Sequence, residues 1–192
     1  SRARLRRSTR NGPDESVFVA VHPLYVSIFE TNLNVVRETS LMRTHNGSIR
    51  TLYADDDPEF AAVAATFLER ENDCFDVVVE TGTDAALTRL DGERFDCIVS
   101  DYDMPTRNGI EFLQAVRAEY PDLPFILYTG KGSEEIASDA ISAGVTDYLQ
   151  KETGSSQYTV LANRIRNAVD NYRARIELAE RDERLTLFFE QS

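Results

Sequence analysis

The residues of this chain best suited to chemistry are acidic side chains that directly follow apolar runs. One run ends at Asp101 and Asp103, within IVSDYDMP, and an earlier run ends at Asp55 and Asp56. Desolvating an ionised carboxylate costs free energy, so an apolar run that ends on Asp101 needs a physical reason. The simple alternative is a strand-to-turn boundary, because Asp and Pro are common turn residues.

A hydroxyl and an ammonium follow two later apolar runs. Thr129 comes after FILY, and Lys151 comes after DYLQ. Carboxylates that cluster raise one another's pKa unless a cation lies among them. Mg²⁺ suits such a set, because it takes a few carboxylates, keeps water ligands and binds phosphate oxygens. If these run ends meet in space, the residue types indicate an acidic pocket around a magnesium ion.

Alternating strand and helix patterns supply the framework that would bring them together. The apolar runs predict five strands, at 49–54, 75–80, 95–100, 124–128 and 147–150. Helix-period stretches separate them, and the first begins at Asp57 and Pro58 with a cap and a first-turn proline. The chain therefore reads as five βα units.

Five βα units predict an α/β fold with a parallel sheet and helices on both faces. The length excludes the barrel of eight units. The flavodoxin-like strand order 2-1-3-4-5 suits five strands and places a site at the carboxyl ends of the first and third. Asp55, Asp56 and Asp101 would then share one edge of the sheet, with Thr129 next to them.

In this arrangement the chain resembles the receiver domain of two-component response regulators over roughly residues 48–170. The resemblance implies that Asp101 is the phosphoacceptor and that Asp55 and Asp56 are the acidic pair, with Asp56 as the direct Mg²⁺ ligand. It also implies that Asp103 offers its backbone carbonyl to the metal. Metal ligation is thus expected of four aspartates.

The same resemblance implies how the site works. Thr129 would hydrogen-bond the phosphoryl group, Lys151 would neutralise it, and Tyr148 would be the aromatic residue that responds to phosphorylation. A histidine kinase or phosphotransfer protein would be the donor, and the chain would be a cytoplasmic signalling domain rather than an enzyme.

Two positions depart from the family's pattern. Glu152 follows Lys151 where the family usually has Pro, which puts the geometry of that turn in question. The first acidic run also continues to Asp57. Its side chain is best assigned to the helix cap, but a slip of one residue would exchange the ligand roles of Asp55, Asp56 and Asp57.

Two other functions remain open. Phosphatases of the haloacid dehalogenase type also use an Asp nucleophile, a second Asp two residues on, a Thr and a Lys. Their nucleophile lies on the first strand, whereas Asp101 follows the third. A receiver that is never phosphorylated and serves only as an interaction module is the other alternative.

Composition restricts the partners. The formal net charge is −12, with 33 acidic against 21 basic side chains, and such a surface repels nucleic acid and anionic membranes. We therefore expect neither partner, and the acidity suggests a salt-adapted organism. Cys74 and Cys97 lie in apolar runs without framework spacing, which favours free thiols in a reducing compartment.

Three segments are expected: a loosely ordered leader at 1–47 that need not be native, the receiver at 48–170, and a helical linker at 171–192 to a further module. Apolar residues recur at spacings of four and three into the last segment. The first part of this helix is expected to pack on the sheet, and the seam that continues beyond it favours a coiled coil and a homodimer, with a solvated helix as the alternative. The recurring apolar residues are Leu161, Ile165, Val169, Tyr172, Ile176 and Ala179.

Two local motifs have ordinary interpretations. GKGS at 130–133 lacks the upstream glycine of a phosphate-binding loop. Asn108 and Gly109 read as a turn before the third helix.

Overall fold

The computed structural model of the chain describes residues 47–71 and 73–190, the last six of them by their backbone alone. The leader predicted at 1–47 lies outside the described residues, apart from Gly47. No helix in the described part is both long enough and apolar enough to cross a membrane.

Strands and helices alternate along the described residues, as the sequence predicts. The strands are β1 (Ile49–Ala54), β2 (Phe75–Glu80), β3 (Cys97–Ser100), β4 (Phe125–Thr129) and β5 (Asp147–Gln150). The helices are α1 (Pro58–Glu71), α2 (Thr83–Gly92), α3 (Gly109–Glu119), α4 (Glu134–Ser142) and α5 (Ser156–Glu190).

The strands form one parallel sheet in the order β2-β1-β3-β4-β5. The predicted flavodoxin-like order is therefore confirmed. Parallel strands present all their carboxyl ends at one edge, so the segments after β1, β3, β4 and β5 leave the sheet on the same side.

Alternate side chains of each strand build two separate cores. On β1, Tyr53 packs with α1 and α5, whereas Leu52 packs with the other three helices. Leu68 of α1 and Phe112 of α3 are fully buried on these opposite sides. Helices therefore cover both faces, and the rigid layers fix the strand ends.

Helix α5 is continuous over 35 residues, about 52 Å at 1.5 Å per residue. Its first part packs on the sheet, and further along the Arg173 guanidinium contacts the Asp96 carboxylate at 2.9 Å. The helix continues without a break past residue 170, where the sequence placed a domain boundary. The separate linker at 171–192 stays a prediction.

Candidate functional site

The first acidic side chain of the site is fixed where β1 leaves the sheet. Asp55 is 1% exposed. Its Oδ2 accepts a hydrogen bond from Lys151 Nζ at 2.7 Å, and its Oδ1 accepts one from the Asp57 backbone N–H at 3.1 Å. Burial raises the pKa of the Asp55 carboxyl, and the Lys151 ammonium opposes that rise. The carboxylate is thus held between a cation and the backbone of the next turn.

The next two acids have different surroundings. Asp57 Oδ1 accepts hydrogen bonds from the backbone N–H groups of Glu59 and Phe60, both at 3.0 Å. That is the geometry of a helix cap, and it occupies this side chain at the start of α1. Asp56 is exposed. Its carboxylate is therefore free of the capping role and available to the pocket.

Asp101 follows the last residue of β3. Its backbone N–H donates to the Ala54 carbonyl at 2.8 Å, which ties the ends of β1 and β3 together. The residue is 8% exposed. Among the described residues, its buried Oδ1 has no hydrogen-bond partner. A buried acceptor in this state indicates that something else completes the site.

Three of the four predicted ligand residues lie together. One carboxylate oxygen each from Asp55, Asp56 and Asp101 falls within 4.8 Å of the others. An all-oxygen, acidic set of this kind suits Mg²⁺, and the Asp101 Oδ1, which accepts no hydrogen bond from the described residues, fits the same interpretation. The Asp103 carboxylate is outside this set, and a role for its backbone carbonyl stays a prediction.

Lys151 brings positive charge into the pocket from the end of β5. Its Nζ lies 2.7 Å from Asp55 Oδ2 and 3.4 Å from Asp101 Oδ1, and its side chain is 16% exposed. The ammonium also lies over the Phe60 ring, 4.4 Å from the centroid. An aromatic face favours a cation there, so Phe60 helps to hold the ammonium against the two carboxylates.

Thr129 is the last residue of β4 and is fully buried. Its Oγ1 accepts a hydrogen bond from the Lys131 N–H at 3.1 Å, and its carbonyl accepts one from the Lys151 N–H at 2.8 Å. The hydroxyl therefore lies in the same pocket as the acids. The cavity measures about 290 Å³ and is lined by Asp55, Asp56, Asp57, Phe60, Asp101, Asp103, Thr129, Gly130, Lys131 and Lys151.

An ion pair lies at the mouth of this cavity. The Lys131 ammonium pairs with the Asp103 carboxylate, and both side chains are more than half exposed. This partner raises the pKa of Lys131. Sequence reasoning treated Lys131 only as part of an ordinary loop. The signal that could have found it is its position two residues after Thr129, on the loop that leaves β4.

Tyr148 lies on β5, outside the residues that line the cavity. Its ring packs at the edge of the core formed with α2, α3 and α4. Its hydroxyl is buried, and it has no hydrogen-bond partner among the described residues. The predicted switch tyrosine is therefore partly inserted, with an unsatisfied polar end.

Comparison with known families shows which group of proteins has this arrangement. The response regulator receiver domain matches residues 51–163, which is more than half of the chain. The chain belongs to this family. The match begins within β1, includes the other four strands and contains Asp55, Asp101, Thr129 and Lys151.

Curated relatives of this receiver domain are regulators of greater length. The transcriptional regulatory protein FixJ of Bradyrhizobium diazoefficiens is 33% identical over 87 residues, which are 45% of this chain and 42% of that protein. The transcriptional regulatory protein CpxR of Escherichia coli K12 is 35% identical over 102 residues, which are 53% of this chain and 42% of that protein. The chain spans less than half the length of these relatives.

Solved receiver domains have the same fold. The receiver domain of Francisella response regulator 1452 has a TM-score of 0.58 and 28% identity, and it covers 65% of this chain and 98% of that one. A CheY-like receiver domain protein from Methanospirillum hungatei has a TM-score of 0.60, covering 67% of this chain and 98% of that one. Its 23% identity shows the fold alone.

The names of the curated relatives conflict with the expectation that nucleic acid is not a partner. FixJ and CpxR are transcriptional regulatory proteins. The net charge that led to the expectation describes this chain, whereas the relatives extend well beyond the part that they share with it. The expectation is therefore restricted to the receiver domain itself.

Sequence reasoning also missed a glycine that supports the phosphoacceptor position. A Cβ at Gly109 would lie 2.4 Å from the Asp101 carbonyl oxygen and 2.6 Å from Leu127 Cδ1. The sequence predicts a turn here and a third helix from about Gly109. That start is confirmed, since Asn108 is the N-cap of α3, in a capping box with Glu111, and Gly109 is the first helical residue. Helix α3 can approach Asp101 this closely because glycine has no side chain.

Proposed function

We propose that this receiver domain accepts a phosphoryl group on Asp101 from a phosphohistidine of a partner histidine kinase or phosphotransfer protein. The observation that supports this most is the Asp101 carboxylate itself. Its Oδ1 is buried without a hydrogen-bond partner among the described residues and lies 3.4 Å from the Lys151 ammonium, at a cavity that four further aspartates line.

The proposed reaction asks little of Asp101 beyond ionisation. A carboxylate oxygen attacks the phosphorus, and a new O–P bond forms as the P–N bond to the donor imidazole breaks. The imidazole leaves with the bonding electron pair, and the product is an acyl phosphate. Phosphoryl transfer depends on in-line placement and on cancelling charge at the equatorial oxygens, so the surroundings of Asp101 contribute most of the catalysis.

The acidic residues and the lysine of the pocket have separate roles in this proposal. Asp55, Asp56 and Asp101 would hold Mg²⁺, together with the backbone carbonyl of Asp103. The bound ion supplies neutralisation of phosphoryl charge. Lys151 holds its ammonium next to the attacking carboxylate.

Phosphorylation would then act as a switch. The dianionic group attracts the Thr129 hydroxyl, which in the described structure accepts a hydrogen bond from the Lys131 N–H. Movement of that hydroxyl towards the adduct would free space for Tyr148 to turn further inward. A local change in charge thus becomes a change in packing on the surface around β5.

The test is adduct formation with a small donor. Acetyl phosphate with Mg²⁺ should add the mass of one phosphoryl group to the wild-type protein, and peptide mapping should place it on Asp101. The Asp101→Asn variant should remain unmodified. Asp139→Asn, a change at an exposed acid of α4, is the matched control and should label like the wild type.

Other outcomes of that experiment would contradict the proposal. Equal labelling of Asp101→Asn would move the acceptor elsewhere. A well-folded wild-type protein without any adduct would favour the unphosphorylated interaction module. Steady release of phosphate from phosphate esters would favour the phosphatase, but the family match and the place of Asp101 after the third strand weigh against that activity.

We further propose a homodimer through α5 and a cytoplasmic location alongside the kinase. The helix continues through Glu190, and Leu178 on it is 60% exposed. The apolar spacing of four and three that continues through Tyr172, Ile176 and Ala179 on a charged helix is typical of a coiled-coil seam. One solved relative, the beryllofluoride-activated receiver domain of NtrC4, is itself a dimer.

A further inference from the structure

A buried glutamine lies behind the lysine of the pocket. Gln157 is the second residue of α5 and is 8% exposed. Its Oε1 accepts hydrogen bonds from the Tyr128 hydroxyl and from the Glu152 backbone N–H, the latter at 3.1 Å. Its Nε2 donates to the Gly154 carbonyl at 3.0 Å. A buried amide bonded in this way has a fixed orientation.

The first of these partners connects the amide to the pocket. Tyr128 directly precedes Thr129, and its ring centroid lies 6.0 Å from Lys151 Nζ. Together with Phe60 at 4.4 Å, it forms an aromatic floor beneath the ammonium. The hydrogen bond that fixes the Tyr128 hydroxyl therefore also fixes one of the two rings that contact the Lys151 ammonium.

The second partner lies in the turn that follows the lysine. The Lys151 N–H donates to the Thr129 carbonyl at 2.8 Å, which joins this segment to β4. The chain then leaves the sheet, and the Glu152 N–H is fixed by Gln157 instead. Proline has no N–H to donate, so this hydrogen bond exists only because the chain has Glu where the family usually has Pro.

We propose that Gln157 is a positioning residue for Lys151, and that in this chain its side-chain amide fixes the turn that a proline ring would otherwise fix. The inference rests on the proposed function, since its purpose is to keep the ammonium against Asp101. It explains what fixes the turn that contains Glu152, and why a glutamine is buried at the start of α5.

The test compares Gln157→Leu with a control at the exposed Gln114 of α3. Gln157→Leu should slow formation of the Asp101 adduct at saturating acetyl phosphate by about tenfold, because small misplacements of reacting groups are costly in rate. Half-saturation should change little, since Lys151 acts on the transferring group. Gln114→Leu should leave both quantities as in the wild type.

A spectroscopic measurement reports the lysine directly. The chain has two lysines, Lys131 and Lys151, so protein labelled with ¹³C at lysine Cε gives two side-chain signals. The Lys151 signal should be displaced by the ring of Phe60. In Gln157→Leu it should move towards the position of an exposed lysine, while the Lys131 signal stays in place.

A double variant separates positioning from stability. Gln157→Leu also leaves the Tyr128 hydroxyl buried without its acceptor, which by itself lowers stability. Adding Tyr128→Phe removes that hydroxyl and should restore much of the melting temperature. The adduct should still form slowly, and the Lys151 signal should stay displaced from its wild-type position.

Each failure has a distinct meaning. If the double variant recovers rate and signal together with stability, Gln157 is only structural and the inference is wrong. The inference is equally wrong if Gln157→Leu labels at the wild-type rate with an unmoved Lys151 signal, although the phosphoacceptor function then stands. A wild-type protein that forms no adduct overturns the proposed function, and the inference with it.

Discussion

At the scale of single residues, the position of Asp101 depends on the absence of a side chain at Gly109. Gly109→Ala would place a Cβ 2.4 Å from the Asp101 carbonyl oxygen, so either α3 or the Asp101 backbone must shift. We expect a loss of about 1–3 kcal/mol in the free energy of unfolding, as is typical of overpacking. Urea unfolding measures that loss, and labelling by acetyl phosphate should slow in parallel.

Gly92→Ala is the matched control for that change. A Cβ at Gly92, the last residue of α2, meets nothing within 4 Å. Alanine is the better helix former, so this variant should gain up to about 1 kcal/mol and label normally. If Gly109→Ala is as stable as the wild type and labels equally fast, the close approach of α3 does not constrain the site.

Single residues also show the limit of what the sequence could predict. Asp55, Asp101, Thr129 and Lys151 could be grouped in advance because each follows a strand, and parallel strands end at one edge. Gln157 could not be grouped with them. It lies at the start of a helix, after a turn. Its position relative to Lys151 depends on the path of that turn, and the spacing of residues in the sequence does not predict that path.

At the scale of elements, two neighbouring acids at the start of α1 have different roles: Asp57 caps the helix, and Asp56 is the proposed metal ligand. Asp57→Ala removes the cap that holds the N–H groups of Glu59 and Phe60. We expect a cost of about 1 kcal/mol in urea unfolding, typical of a lost N-cap. Binding of Mg²⁺, measured by isothermal titration calorimetry, should change little.

Asp56→Ala is the reciprocal variant. An exposed side chain without a capping role should alter stability by no more than about 0.5 kcal/mol, whereas Mg²⁺ binding should weaken strongly. The opposite pattern, with stability lost at Asp56 and metal binding lost at Asp57, would show that the acidic run is shifted by one residue relative to the assigned roles.

The bounds of β3 show why element ends are harder to predict than elements. The apolar run predicted a strand from residue 95, but β3 begins at Cys97. The Asp96 carboxylate, rather than a backbone carbonyl, accepts the Arg50 N–H at 2.8 Å. The same carboxylate pairs with Arg173 of α5. The Asp96 backbone N–H still donates to the Arg50 carbonyl at 2.8 Å, so a side chain takes one of the two hydrogen bonds at this end of the strand. Only the folded structure brings these partners together.

At the scale of the whole molecule, strand order was predictable because connection handedness and length leave few alternatives for five βα units. Residues 49–150 contain all five strands in the predicted order. The reach of α5 was less predictable. Leu161, Ile165 and Val169 are buried in the core, as predicted for the first part of the helix, so only the apolar spacing beyond them is available to a partner helix.

Magnesium should stabilise the whole domain by binding the folded state alone. Mass action gives about 2.7 kcal/mol when the free ion is at 100 times its dissociation constant. The melting temperature should therefore rise more in MgCl₂ than in KCl of equal ionic strength, which only screens the net charge of −12. Asp56→Ala should abolish the difference between the salts. Equal shifts in both salts for the wild type would argue against a specific site.

Self-association is the property of the whole molecule that α5 makes testable. If protomers meet along the part of the helix beyond the sheet, Leu178→Glu should shift sedimentation equilibrium towards the monomer, because it places a charge at a side chain that is 60% exposed in one protomer. Val160→Glu is the matched control, at an apolar residue of the same helix that is 49% exposed. It should leave the equilibrium unchanged, because residue 160 lies near the start of α5. Dissociation by Val160→Glu alone would instead place the dimer contact near the start of α5, on the packed part of the domain.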